Sequence, residues 1–296
     1  MKLYPKQFLG LDARFTDHEK ARVAILPFPY EGGVSYGAGT AQGPDSVIDA
    51  SHYLELYDEV LKTEPHCAGI VTVSPPDIPT DHAAMSETVY KKTQTLIKKK
   101  MFVVLLGGDH SISSGFLRAL TEEYGTLSAI QLDAHADLRD SYQGSKFSHA
   151  CAMARIRELT PHTLQIGVRS MSIEEAERIE HEDLPVCTMY DFRQGKFDIN
   201  AALENLPDPV FITVDVDVFD WSVITTTGTP EPGGFSWDEA MDLLKNIFAR
   251  KRVVGFDVVE LSYSETDKRS AFAVAKLIYK MLGFKLAADV SRGKLD

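Results

Sequence analysis

The residues best equipped for chemistry are Asp133, His135 and Asp137, in the stretch Gln131-Leu132-Asp133-Ala134-His135-Ala136-Asp137. An apolar run from Leu127 to Ile130 precedes them, so the stretch reads as the end of a buried strand. Strand side chains alternate between faces, which would send Asp133, His135 and Asp137 to one side and the two alanines to the other. Two carboxylates and an imidazole converging at a strand end can hold a divalent cation. Asp215 and Asp217, in Thr213-Val214-Asp215-Val216-Asp217, repeat the pattern, and His110 follows another apolar run in Gly107-Gly108-Asp109-His110-Ser111. Each has a plainer reading alone: His110 as a loop residue, Asp109 as a helix cap, the Asp215 and Asp217 pair as solvent-facing. The apolar neighbours speak against solvent, because a buried unpaired carboxylate is costly.

Four carboxylates and two imidazoles exceed the needs of one ion, so two ions sharing carboxylates are expected. No cysteine joins the set and carboxylates dominate, which favours a hard ion such as Mn²⁺ over structural Zn²⁺, with Mg²⁺, Fe²⁺ and Co²⁺ also compatible. Four aspartates cancel two dications, and a bridging hydroxide leaves the cluster slightly negative. Such a centre suits a cationic electrophile better than a phosphate ester, and lowering the pKa of metal-bound water supplies the nucleophile. Two more residues fit around it. Glu260, ending the run Val253 to Val259, could grip a guanidinium through a bidentate pair. His149, in Phe147-Ser148-His149-Ala150, could pass a proton to a leaving amine. Their plainer readings are a strand-end carboxylate paired with an arginine and a surface histidine.

The elements that must position these residues alternate. Strands are expected at 21–28, 69–74, 101–106, 127–132, 163–168, 184–189, 210–216 and 253–261, most of them separated by helical periodicity. Helices are expected after Gly43-Pro44-Asp45, over 86–100, 112–124 and 150–158, and after the capping box Ser236-Trp237-Asp238-Glu239. A last helix, from Arg269 to Leu282, is expected to stop at Gly283. This alternation implies an α/β fold, one parallel sheet covered by helices on both faces. Residues 1–296 read as a single domain, with 1–20 an N-terminal arm or tail. The net charge of −12 disfavours nucleic acid and anionic membranes as partners. Cys67, Cys151 and Cys187 show no paired spacing and read as reduced core thiols; with no apolar leader or membrane-length run, a cytoplasmic protein is expected.

With these motifs in order, the chain resembles the ureohydrolase family, which includes arginases and agmatinases. The resemblance runs from Gly32-Gly33-Val34-Ser35-Tyr36 through the three metal motifs to Gly228-Thr229-Pro230-Glu231-Pro232-Gly233-Gly234 and Asp257-Val258-Val259-Glu260. It implies a three-layer αβα fold with an eight-stranded parallel sheet and two Mn²⁺ ions per subunit, held by His110, Asp133, His135, Asp137, Asp215 and Asp217. It implies proton transfer by His149, guanidinium binding by Glu260, and a trimer or hexamer. Arginases carry an aspartate after Gly-x-Arg, where Gly167-Val168-Arg169 is followed here by Ser170, which becomes a substrate-binding candidate. The likeness is therefore greatest to agmatinases, which hydrolyse agmatine to putrescine and urea by attack of a metal-bridging hydroxide on the guanidinium carbon. The alternatives are another guanidine (aminopropylagmatine, guanidinobutyrate, arginine), a non-catalytic oligomeric binding protein, or a single-zinc deacetylase of similar fold. Trp221, Val223 to Thr226 and Tyr263 depart from the family pattern in segments that surround the substrate mouth in the family.

Overall fold

The computed structural model describes residues 1–293. In chain order its strands are β1 (Val23–Phe28), β2 (Ile70–Thr72), β3 (Phe102–Gly107), β4 (Ser128–Leu132), β5 (Thr163–Val168), β6 (Val186–Thr188), β7 (Val210–Asp215) and β8 (Val253–Val259). They form one eight-stranded sheet in the order β2-β1-β3-β8-β7-β4-β5-β6, and every adjacent pair is parallel. Strands buried on both faces need apolar residues throughout, and β1, β4, β5, β7 and β8 are buried along their whole lengths. The helices are α1 (Gly43–Ser51), α2 (His82–Ile97), α3 (Ser113–Tyr124), α4 (Ala152–Arg157), α5 (Ile173–His181), α6 (Met189–Arg193), α7 (Ile199–Asn205), α8 (Trp237–Arg250) and α9 (Arg269–Ser291). Two apolar clusters result. One joins α1, α8 and α9 to the sheet through residues such as Ile48, Leu244 and Ile278. The other joins α2 and α3 through Val89 and Phe116. This is the expected arginase-like three-layer fold.

Three expectations change. The N-terminal segment is no free tail: Phe8 and Leu9 are buried, and Gln7 binds β2 through its side chain, donating to Thr72 O (3.1 Å) and accepting from Thr72 N (2.7 Å). The last helix runs through Gly283 to Ser291. Gly283 serves packing rather than termination, since a Cβ there would stand 2.7 Å from Leu61 Cδ1. Cys67 is exposed, while Cys151 and Cys187 are buried and all three are free. Among the described residues no helix is long and apolar enough to cross a membrane.

Candidate metal centre and substrate cavity

Four adjacent central strands, β3, β8, β7 and β4, bring their carboxyl ends together, the usual place for a site in an open α/β sheet. His110 follows β3, Asp133 to Asp137 follow β4, Asp215 ends β7, and Glu260 follows β8. The aspartates converge by a different route from strand alternation. β4 stops at Leu132 and β7 at Asp215, and tight turns take over. Asp133 Oδ1 accepts from His135 N (2.6 Å) and Asp215 Oδ1 from Asp217 N (2.9 Å), self-bonded turns that short polar side chains favour. Asp137 adopts φ 53°, a left-handed conformation that turns its carboxylate back toward His110.

His110 is fully buried. Its Nε2 lies 2.8 Å from Thr213 Oγ1. Its Nδ1 lies 3.1, 3.2 and 3.4 Å from oxygens of Asp133, Asp137 and Asp215, yet makes a well-directed hydrogen bond to none of them. His135 Nδ1 faces Asp217 Oδ2 (2.9 Å) and Asp133 Oδ1 (3.6 Å). Two groups follow, His110–Asp133–Asp215 and Asp133–His135–Asp217, each with ligand atoms within 4.8 Å of one another. Asp133 belongs to both. Gln131 Nε2 donates to Asp133 Oδ2 (2.7 Å), and Gln165 Nε2 in turn donates to Gln131 Oε1. Gln131 and Thr213 lie within β4 and β7, each two residues before a candidate ligand.

The electrostatics ask for cations. Burial, with the charges of neighbouring aspartates, pushes Asp215 well above the usual carboxylate range and Asp137 up to about 7. Burial and the Asp133 charge raise Asp217 too. Burial would lower His110 and His135, but the carboxylates around them prevail, raising His110 well above its ordinary value and His135 to about 12. Burial would raise Asp133, but the close approach of the His110 and His135 imidazoles outweighs it and lowers it. Protons thus stand where metal charge would otherwise balance the aspartates. The donor set, carboxylate oxygens and imidazole nitrogens without thiol, fits hard or borderline divalent ions.

Beside this cluster, Glu260 is buried and held at φ 68°. Its Oε1 accepts from His110 N (2.7 Å), and a Cβ on Gly228 would lie 3.4 Å from its Oε2. Burial first, then the Asp109 charge, pushes its carboxyl well up. His149 opens a short 3₁₀ turn, with Nδ1 3.9 Å from Glu260 Oε1 and Nε2 2.9 Å from Ser35 Oγ. Burial and the nearby His110 and His135 push His149 down to about 4. The Ser170 carbonyl accepts from the Ala136 amide (3.3 Å), and the residue faces the same cavity of about 220 Å³, lined also by Ser35, His135, Arg139, Tyr142 and His149. All nine candidate residues therefore gather at one end of the sheet. Tyr263 and Thr226 do not face this cavity; they line a neighbouring one of about 450 Å³ with Tyr53 and Phe272. Ser35 stands out in the sequence only as a member of the motif Gly32-Gly33-Val34-Ser35-Tyr36, which gives no sign of its contact with His149.

This fold is that of the arginase family, to which the chain belongs: the family model matches residues 21–283. Within it, the chain is 38% identical over 95% of its length to an N(1)-aminopropylagmatine ureohydrolase of Synechocystis sp., covering 94% of that protein. It is 32% identical to an agmatinase of Pyrococcus horikoshii, over 96% of this chain and 99% of the other. The solved agmatine ureohydrolase of Thermoplasma volcanium superposes with a TM-score of 0.86 at 26% identity, over 98% of this chain and 97% of that one.

Proposed function

We propose that the protein hydrolyses a linear cationic alkylguanidine, agmatine in the first reading, to urea and the corresponding amine with two Mn²⁺ ions per subunit. The observation that carries this reading is the pair of His/Asp groups sharing Asp133, set beside the buried carboxylate of Glu260. In it, His110, Asp133, Asp137 and Asp215 hold one ion, and Asp133, His135 and Asp217 the other. When bound, the ions offset the buried carboxylates and lower the pKa of water at the centre, making a nucleophile available near neutral pH.

The remaining residues handle the substrate. Glu260 Oε1 is engaged by the His110 amide, so Oε2, beside the space that Gly228 leaves open, accepts from the guanidinium. That cation favours the ionised carboxylate that burial alone opposes. His149 delivers a proton to the departing amine nitrogen. Ser170 offers a hydroxyl where a carboxylate would be needed for an α-ammonium group, which argues against arginine. Assembly as a homo-oligomer, a trimer or hexamer, belongs to the same proposal and is read by sedimentation.

A second reading, aminopropylagmatine as substrate, is supported by the higher identity to a relative of that name. The test is urea release by the Mn²⁺-loaded protein from agmatine, aminopropylagmatine, guanidinobutyrate and arginine. Agmatine turnover is the expected result. Preference for aminopropylagmatine would keep the chemistry and replace the substrate. No urea from any of them, with two ions bound, would sink the hydrolase reading in favour of a binding protein.

A further inference from the structure

The loop from Glu31 to Gly43 lends Ser35 to the cavity and is held both within itself and to its neighbours. Asp109 Oδ2 accepts from Gly33 N (2.7 Å), Glu31 Oε2 accepts from Gly39 N (2.9 Å) and Ala41 N (2.8 Å), and Gly37 N donates to Gly228 O (3.0 Å). Space for a side chain is tight at two of the loop's glycines. A Cβ on Gly33 would approach the His149 amide nitrogen to 3.1 Å, and one on Gly37 would approach Gly228 O to 2.8 Å. Between these two glycines the loop presents Ser35 Oγ to His149 Nε2 at 2.9 Å. Ser35 is exposed, whereas the His149 side chain is only 12% exposed and turns Nδ1 inward toward Glu260. The histidine thus has one nitrogen in the site and the other on a hydroxyl that reaches solvent.

We propose that Ser35 is a positioning residue for His149, fixing the tautomer that carries its proton on Nδ1 and connecting Nε2 to solvent as a proton relay. The proposal rests on the hydrolytic reading above. The leaving nitrogen takes the proton from His149 Nδ1 as its bond to the guanidinium carbon breaks. His149 Nε2 takes the hydroxyl proton of Ser35, and Ser35 Oγ takes one from water or a buffer acid. The imidazole stays neutral throughout, in keeping with its burial, which disfavours the charged form. The reverse passage resets the tautomer, returning to solvent the proton that water at the centre gives up.

The test compares wild type, Ser35→Ala and Ser35→Thr as Mn²⁺-loaded protein, with the substrate that gives the most urea. Removing the relay should lower kcat by about 10- to 100-fold with KM nearly unchanged, part of the ~10²–10⁴ that a positioned proton donor supplies. Thr should restore most of the rate, and imidazole buffer should raise kcat of Ser35→Ala in a concentration-dependent way. A second readout does not use activity: histidine ¹⁵N NMR in Mg²⁺ buffer, assigned with His149→Asn, should show His149 protonated on Nδ1 in wild type and mixed between tautomers in Ser35→Ala. Unchanged kcat and unchanged ¹⁵N shifts in Ser35→Ala would overturn the proposal while leaving the hydrolase reading intact. A loss of rate that neither Thr nor imidazole repairs would reduce Ser35 to a loop support and also overturn it. Wild type that yields no urea would bring down the hydrolase reading, and the relay with it.

Discussion

Asp133 is the group on which both halves of the cluster depend, and its replacement should separate a shared centre from two independent ones. Its Oδ2 faces His110 and its Oδ1 faces His135, so Asp133→Ala strips a donor from both groups, whereas His135→Ala strips only one. After Mn²⁺ loading and desalting, elemental analysis should find two ions in wild type, one in His135→Ala and close to none in Asp133→Ala. Melting should report the same order. With free Mn²⁺ about 1,000-fold above its dissociation constant, each ion adds about 4 kcal/mol to the folded state. An unfolding entropy of about 2.1 cal/mol/K per residue, taken over the 296 residues, is about 0.6 kcal/mol/K. Each ion should therefore raise Tm by about 7 °C, so that wild type gains twice what His135→Ala gains and Asp133→Ala gains almost nothing. Two ions retained by Asp133→Ala, or both lost from His135→Ala, would refute the bridging role.

Glu260→Gln should raise KM by about 10- to 100-fold, from a charged hydrogen bond worth ~1.5–3 kcal/mol, without changing metal content, because Glu260 belongs to neither His/Asp group; steady-state kinetics with elemental analysis reads both. Asp267 concerns stability. Burial would raise its pKa, but donation from Thr225, Ser270 and Arg269 outweighs this and lowers it. A depressed folded pKa stabilises above the unfolded value near ~3.9 and is lost as pH falls through the folded value. Asp267→Asn should then be about 1–2 kcal/mol less stable than wild type at pH 6–7, with the gap closing below about pH 4, as followed by urea melts. A gap independent of pH would show that the carboxylate charge is not involved.

The strands are legible because parallel strands need uninterrupted apolar runs: the run from Met101 to Leu106 corresponds to β3, and that from Val253 onward to β8. Ligand candidates stand out because a charged residue directly after such a run is carried into the interior, where it is costly unless something pairs with it. The way they converge is less legible. Asp133, His135 and Asp137 share a direction through an Asx-type turn and a left-handed residue, which obey local hydrogen bonding and not period two. α5, α6 and α7 leave weak traces because they are short, and only Glu175 of α5 is buried, so there is little apolar periodicity to read. The contact of Ser35 with His149 spans 114 residues of sequence, and no local rule reaches that far. Gly283 misleads for a related reason: a glycine needed for close packing looks the same in sequence as one that ends a helix.

The attachment of Gln7 to Thr72 has a consequence for the molecule among its neighbours. β2 lies at one border of the sheet, where a strand ordinarily leaves alternate amides and carbonyls open to any passing extended chain. Here the Gln7 carboxamide acts as a one-residue mock strand, joined by Tyr4 N on Thr72 O (2.9 Å) and Ser74 N on Lys2 O (3.0 Å). The first eight residues thus work as a selvedge that keeps the sheet from growing by recruiting a second molecule. The same residues also deepen the folding minimum, because Phe8 is buried in the core.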